Sequence, residues 1–216
     1  MRRGLIILLL MLGLTAPALA VPVLAADDTA EPKLRNWHFG VQGVTTWRDR
    51  YDVFDREVLP GGAIEDKGRG AGFVFGRRFG DRFLVDLQVT YGAHKIADSE
   101  HELADIETLV TFTILYRERS VFQPFLRGGA GGAGQLLEFG PDGGHVFAFG
   151  TGAIAGGGFQ VRLGSRWSLE FETVATFANF LEVMDESEPD RWVEDSWQVR
   201  ESSWGWRNGV GVVFWF

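Results

Sequence analysis

Alternation of apolar and polar residues at every second position, repeated in about eight segments, is the feature that most restricts the fold of this chain. The clearest segment runs from Arg82 to Gly92. Its apolar face carries Phe83, Val85, Leu87, Val89 and Tyr91, and its polar face carries Asp86, Gln88 and Thr90. Such alternation predicts a β-strand whose two faces meet different environments. In a soluble sheet the apolar face would point inward, whereas in a membrane barrel it would meet lipid.

The first 25 residues have the pattern of a cleaved secretion signal. Arg2 and Arg3 form a positive region, Leu5 to Leu14 form an apolar core, and two A-x-A sites end at Ala20 and Ala25. This core of roughly 10 to 15 residues is shorter than the ~20 that a spanning helix needs, so a permanent anchor is the weaker alternative. We therefore predict a signal peptide over 1–25, cut after 20 or 25, a short periplasmic segment over 26–35, and a barrel over 36–216.

Composition excludes several classes of function. The chain has no Cys, so disulfides and Cys-based sites are impossible. Without the two arginines of the signal, 19 basic residues (21 − 2) face 29 acidic ones, and an acidic chain without a basic stripe is not expected to bind nucleic acid. The four histidines are His38, His94, His101 and His145. Their spacing matches no metal site, so we expect no metal and no cofactor, and solvated histidines in the loop that holds His94 and His101.

Five further segments alternate in the same way, and two glycine-rich segments are also predicted as strands. The alternating segments begin near Trp37, Ala71, Ile106, Trp167 and Trp206. The glycine-rich segments cover 122–134 and 147–163, where small inward residues would leave room for large side chains from neighbouring strands. A flexible linker is the alternative. Spaced apolar residues such as Phe125 and Ile154 favour strands.

The connections between these segments alternate in length. Short turns are predicted at Gly80-Asp81, Glu118-Arg119-Ser120 and Gly164-Ser165, and long loops at 48–69, 94–102, 135–145 and 181–203. This alternation is typical of short periplasmic turns and longer extracellular loops. An open sheet edge cannot be hydrated within lipid, so the sheet must close. We predict an all-β fold: a monomeric, eight-stranded, antiparallel, transmembrane up-and-down β-barrel with four long extracellular loops and three short periplasmic turns.

Three stretches carry a resemblance to a known family. They are 123–131 (QPFLRGGAG), 167–171 (WSLEF) and 209–216 (GVGVVFWF). These stretches resemble the small eight-stranded outer-membrane barrels of the OmpA/OmpX-like group. The resemblance implies a bacterial outer-membrane location, with outer-membrane lipid and lipopolysaccharide as partners. It also implies that the barrel-assembly machinery reads the C-terminal strand, since Phe216 matches the family's terminal aromatic residue.

Charged residues on the inward faces are predicted to fill the interior. The inward set is Arg78, Asp86, Glu107, Arg127, Arg162, Glu170, Glu172 and Arg207. Eight strands enclose a space that side chains can fill, and buried charges are tolerated only when they are paired. We interpret the set as a salt-bridge network that plugs the lumen; a narrow ion or proton path is the alternative. Glu170 and Glu172 would also suit acid–base chemistry, although two residues apart on one face they more simply share an arginine.

Lipid A deacylases of the PagL type use the same small barrel and carry a catalytic His-x-Ser-Asn run near the end of the seventh strand. The corresponding run here is Thr176-Phe177-Ala178-Asn179, in which only Asn179 matches. The register also directs Thr176 and Ala178 to the lumen, away from lipid. We therefore predict a non-enzymatic barrel with a structural or surface-interaction role. The alternative is a lipid A acyl hydrolase or a catalytically silent relative.

The fourth loop, from Leu181 to Ser203, is the predicted contact surface. Its acidic and aromatic residues include Asp185, Glu186, Glu188, Trp192 and Trp197. Loops on a rigid scaffold often carry recognition, and carboxylate oxygens suit hard cations such as Ca²⁺. The sequence therefore suggests cation binding next to lipopolysaccharide, or adhesion through the aromatic residues. A solvated acidic loop is the alternative, because no ordered calcium-loop motif occurs.

Overall fold

The protein is a closed barrel of eight antiparallel strands, each paired with the next in the chain and the last paired with the first. The computed structural model describes residues 35–48, 64–96, 102–117, 120–138, 145–185 and 195–216. The strands are β1 (Trp37–Arg48), β2 (Lys67–Phe79), β3 (Phe83–Lys95), β4 (Glu102–Leu115), β5 (Phe122–Glu138), β6 (His145–Arg162), β7 (Trp167–Asp185) and β8 (Asp195–Trp215). The prediction of an eight-stranded antiparallel barrel is confirmed. The predicted signal peptide lies outside the described residues.

The alternation of residue types becomes an alternation of exposure. Along β1 and β3, exposed residues are followed almost regularly by buried ones. The outward residues are large and apolar: Phe83 is 54% exposed and Phe112 is 62% exposed. Such a surface is unfavourable in water and favourable in a bilayer, where the polar backbone is satisfied by the closed ladder. No helix that could span a membrane occurs among the described residues.

Both termini of the barrel and three connections lie at one end, which we call the turn end. The backbone N–H of Trp37 donates to Phe216, and that of Trp215 donates to Arg166 in the connection between β6 and β7. Gly80 has a φ of 62°, in the left-handed region that favours glycine, and this allows the tight turn between β2 and β3. In the predicted turn after β4, residues 118 and 119 lie outside the described residues.

At the opposite end, the loop end, the strands extend further than the sequence suggested, and two strand pairs do so most. β5 and β6 pair up to Glu138 and His145, and β7 and β8 pair up to Asp185 and Asp195. The predicted loops at 135–145 and 181–203 are therefore partly strand. The reason is an apolar cluster inside this end of the barrel, which buries side chains from several strands and holds them together. It includes Leu103, Leu137, Val146, Phe180 and Val183.

The lumen has apolar layers near both ends and charged residues between them. At the turn end, Leu84, Leu115, Phe125, Val213 and Trp215 form a second buried cluster. A third cluster, of Leu109, Ile154 and Val174, covers part of the wall in the middle. The charged residues are thus held in a space of low polarity, where unpaired charges would be costly.

Candidate functional site

Arg127 is the centre of the charged network in the lumen. Its Nη1 lies 2.8 Å from Oε1 of Glu170 and 2.5 Å from Oε2 of Glu172, and its Nε donates to Thr113 Oγ1 at 2.9 Å. Its Nη2 is 4.0 Å from Asp86 Oδ2. Inward positions on β3, β4, β5 and β7 supply these side chains, which meet because the barrel is narrow.

Arg207 extends the network toward the loop end. It is fully buried, and its Nη1 contacts Glu107 Oε2 at 2.6 Å and donates to Thr90 Oγ1 at 3.1 Å. Its Nη2 lies 3.4 Å from Oε1 of Glu172, so Glu172 joins the two arginines. Gln42 and Gln88 also donate to Oε1 of Glu172, at 3.4 and 3.3 Å.

Inward glycines make room for this network. A Cβ at Gly72 would lie 2.7 Å from Nε2 of Gln42, and a Cβ at Gly209 would lie 2.9 Å from Oε1 of the same side chain. Both distances are too short for real contacts. Glycine at these two positions therefore allows Gln42 to reach Glu172 across the lumen.

Two predicted members of the inward set lie apart from the six that meet. Arg78 is buried at the turn end, where its guanidinium lies 4.2 Å from the ring centroid of Trp215. Arg162 is half-buried at the same end. Within the described part of the chain, neither forms an ion pair with a lumen carboxylate. The alternation along each strand correctly placed both arginines on the inward face. It did not give their position along the barrel axis, and the carboxylates lie deeper in the barrel.

A second buried cluster, near the loop end, was missed by the sequence analysis. Nε of Arg48 lies 2.6 Å from Oδ2 of Asp105, and Nε2 of His94 lies 3.0 Å from the same oxygen. Gln135 donates to Oδ1 of Asp105, and Arg48 donates to Ser203 Oγ, both at 3.0 Å. The predicted solvated histidine is wrong for His94, which is fully buried in β3. The sequence signal for this cluster was that Asp105 lies on the polar, inward face of its alternating segment.

His38 is the second buried histidine among the described residues. Its Nε2 lies 3.1 Å from Oδ1 of Asp86, and its ring lies 4.5 Å from that of Trp215. His145 is exposed at the start of β6, and His101 lies outside the described residues. Among the described residues, no group of three His, Cys, Asp or Glu could hold a metal ion.

The cluster around His94 does not have the geometry of a hydrolase triad. Thr46 Oγ1 and Asp105 Oδ2 both lie 3.0 Å from the same ring nitrogen, Nε2. The other nitrogen, Nδ1, donates to the carbonyl oxygen of Glu65 at 3.1 Å. In a triad the carboxylate holds the ring nitrogen opposite the nucleophile. Here the carboxylate and the hydroxyl meet the same ring nitrogen, so the arrangement differs from a triad.

The run from Thr176 to Asn179 lies within β7. Thr176 lines a lumen cavity of about 10 Å³, together with Thr46, Arg48, Thr90, Asp105 and Glu107. Such a space holds about one water molecule. Ala178 is also buried inside, whereas Phe177 is 50% exposed on the outer surface. Thr176 and Ala178 therefore face the lumen, as the strand register predicted.

The candidate contact residues at the loop end are only partly described. The backbones of Asp185 and Trp197 belong to the paired ends of β7 and β8. Glu186, Glu188 and Trp192 lie outside the described residues. β7 and β8 are 19 and 21 residues long, so their hairpin reaches beyond the shorter strands β1 to β4, which have 12 to 14 residues.

No protein-family model matches this chain, and no curated protein matches it in sequence. Its fold is similar to that of solved structures. Neisserial surface protein A (NspA) is 12% identical, with 83% of this chain and 97% of NspA covered and a TM-score of 0.56. OprG from Pseudomonas aeruginosa is 14% identical, with 85% and 97% covered and a TM-score of 0.47. The outer membrane protease OmpT from Escherichia coli is 9% identical, with 86% and 97% covered and a TM-score of 0.39.

Identities this low show the fold alone. NspA shares the closed barrel over nearly its whole length, which confirms the expected resemblance to small outer-membrane barrels. The weaker resemblance to PagL-type deacylases is not shown. The chain therefore has the fold of the small outer-membrane β-barrels.

Proposed function

We propose that this chain is a non-enzymatic, monomeric barrel of the bacterial outer membrane, with a structural or surface-interaction role and a lumen plugged by charged side chains. The observation that carries the proposal is the buried network of Arg127 and Arg207 with four carboxylates. Closure supports the monomer, because every strand edge is paired within the chain. The long β7–β8 hairpin is the part of the barrel best placed to meet a surface partner.

The network opposes a channel function for energetic reasons. To open a path past Arg127, its side chain would have to leave Glu170 and Glu172 while all three remain surrounded by protein. Breaking a buried ion pair typically costs about 3–5 kcal/mol. The small cavity beside Glu107 admits about one water molecule and is not a passage.

We predict that the protein neither conducts ions nor modifies lipid A. Protein reconstituted in planar bilayers should show no stepwise conductance, because paired side chains fill the lumen. Lipid A from a strain that overexpresses the chain should keep all its acyl chains in mass spectra, because Thr176 and Ala178, which stand where we compared the run with the deacylase motif, face inward and are neither His nor Ser. A porin reconstituted in the same way is the control for the bilayer recordings. Discrete conductance steps or loss of an acyl chain would contradict the proposal.

Lipopolysaccharide is the lipid partner that we propose at the loop end. Lys67, Arg69 and Lys95 lie on the outer surface of β2 and β3, all exposed, although the chain is acidic overall. Lys67 pairs with Trp47 across the β1–β2 ladder, and its ammonium lies 5.5 Å from that ring. Glu102 lies opposite Lys95 in the register, and no ion pair joins these two described side chains. A cationic surface flanked by tryptophan matches the phosphates and interface of an anionic leaflet.

The barrel-assembly machinery is the protein partner that we propose, through the C-terminal strand. Phe216 is 47% exposed on the outer surface, with its ring 6.1 Å from that of Phe214 and 6.3 Å from that of Phe39. An exposed aromatic terminus on the closing strand is available to a receptor before the barrel closes.

Phe216→Ser should lower the amount of barrel that reaches the outer membrane by several fold in cells. Folding of purified protein in detergent should change little, because the side chain is 47% exposed and lies beside surface rings. The measurement is the heat-resistant band of membrane fractions in unboiled gels, compared with refolded protein. Phe79→Ser, at another exposed phenylalanine of the turn end, is the matched control. Equal loss in cells for both variants would contradict a specific terminal signal.

A further inference from the structure

A groove of about 370 Å³ lies on the lipid-facing surface near the turn end of the barrel. Its outward lining residues are Trp37, Phe75, Arg77, Phe79, Val85, Leu87 and Val110. Val85 is the recessed member: it is half-buried, while the neighbouring Leu87 and Val110 are 45% and 47% exposed. Gly76 and Asp86 also line the groove, but the carboxylate of Asp86 is buried and contacts His38 in the lumen. The groove is shallow and open toward the membrane along its outer side.

Arg77 is the cationic residue among those that line this groove. The guanidinium of Arg77 lies 5.4 Å from the ring centroid of Trp37 and 5.2 Å from that of Phe79. Arg77 is exposed on the outer face and forms no ion pair with any described residue. A cation on a lipid-facing surface is costly unless it reaches the interface and finds a counter-charge. The position therefore favours an anionic group supplied from the membrane.

The height of Arg77 on the barrel places it among lipid headgroups. Trp37 and Trp47 are ten positions apart on the outer face of β1, which corresponds to about 25 Å along the axis of a tilted strand. That distance is about the height of the apolar band of an outer-membrane barrel. Arg77 pairs directly with Trp37, so it lies at the level of the headgroups of the leaflet on the turn-end side.

We propose that this groove binds one glycerophospholipid of the periplasmic leaflet, with an acyl chain along Val85, Leu87 and Val110 and the phosphodiester on Arg77. A guanidinium presents paired N–H groups that match phosphate oxygens, which makes Arg77 a better phosphate ligand than a lysine would be. The apolar lining accepts the hydrocarbon, and the site is anionic-selective because the groove contributes one unpaired positive charge. This lipid site is independent of the lumen plug.

Native mass spectrometry of detergent-solubilised protein titrated with phosphatidylglycerol tests the headgroup contact. Arg77→Gln should lower the affinity for the lipid, measured from the bound fraction across the titration, by about tenfold, the effect of losing one charge-assisted contact. Arg69→Gln is the matched control, since Arg69 is an exposed arginine on the same face of β2 at the loop end. It should leave phosphatidylglycerol binding unchanged and lower lipid A binding instead. Equal losses of phosphatidylglycerol in both variants would overturn the proposal.

A second pair of variants tests the groove itself. Val85→Phe should fill the recess and lower phosphatidylglycerol binding by several fold, whereas Val89→Phe, on the same face of β3 but outside the groove, should not. Gel mobility before and after boiling confirms that each variant is folded, and Val85→Leu is the substitute if Val85→Phe does not fold. Unchanged binding by the folded Val85 variant would overturn the proposal, even if the lumen plug holds.

Discussion

Replacing Arg127 with alanine is expected to lower the free energy of unfolding of the barrel by about 3–5 kcal/mol. Arg127 is the shared partner of Glu170 and Glu172, and both carboxylates are buried. Alanine would leave Glu170 without the guanidinium that it contacts and Glu172 with the more distant Arg207, at 3.4 Å. Urea unfolding of the protein in lipid vesicles, followed by tryptophan fluorescence, measures the change.

Two further variants separate the pairing from the loss of volume. Lys95→Ala removes an exposed cation from the same barrel and should cost less than about 0.5 kcal/mol. Glu170→Gln keeps the shape of the side chain and should lower the free energy of unfolding less than Arg127→Ala does. The network contains two arginines and four carboxylates, so removing one carboxylate charge reduces its excess of negative charge. If Arg127→Ala and Lys95→Ala cost the same, Arg127 does not hold the network together.

Neutral hydrogen-bond donors stabilise the carboxylates that outnumber the arginines in this network. Gln42 and Gln88 donate to Glu172, and Gln160 donates to Glu170. Hydrogen bonds from neutral amides stabilise a buried carboxylate without adding a second cation that would need its own partner. The lumen therefore combines ion pairs with amide donors, and this combination allows more acidic than basic groups to be buried.

Strand parity explains what could be predicted from the sequence. Because side chains alternate across a strand, the run from Phe83 to Tyr91 identified both its lipid face and its inward face, including Asp86. The same parity assigned Arg127, Glu172 and Arg207 to the interior, where the structure brings them together.

Contacts across the lumen could not be predicted, because they depend on the stagger of the strands around the barrel. Stagger sets the height of each inward residue, and no local sequence pattern encodes it. Arg78 therefore lies at the turn end beside Trp215, away from the carboxylates that its parity suggested. A β-bulge between Phe180 and Glu182 is a second reason, because the extra residue exchanges the inward and outward positions of β7. Phe180 and Val183 are therefore both inward, although they are three residues apart.

The loop-end cluster was missed for a different reason. His94 and Arg48 lie at the ends of segments whose polar residues resemble loop, so the sequence placed both outside the strands. In the structure they continue β3 and β1 and meet Asp105 from β4. An inward apolar cluster at the same end, which includes Leu103 and Val183, keeps this region closed to solvent. Burial of a histidine at a strand end depends on that distant packing and not on its own neighbours in sequence.

Asp105→Ala is expected to lower the free energy of unfolding by about 3 kcal/mol, the lower part of the range for a broken buried pair. Asp105 accepts contacts from Arg48, His94 and Gln135, and all three side chains are buried. Alanine would leave the guanidinium of Arg48 hydrogen-bonded to Ser203 Oγ at 3.0 Å, and a hydroxyl cannot neutralise its charge. The same urea unfolding assay measures the loss.

The matched control for Asp105 is Asp81→Ala, which removes an exposed carboxylate from the turn after β2 and should change stability by less than about 0.5 kcal/mol. A double variant, Arg48→Met with Asp105→Leu, gives the sharper comparison. Replacing both members of a buried pair by apolar residues of similar volume is often neutral or stabilising. The double variant should therefore be more stable than Asp105→Ala, since it leaves no unpaired guanidinium. A double variant as unstable as the single one would mean that the cost comes from lost packing around His94, and the loop-end ion pair would then contribute little.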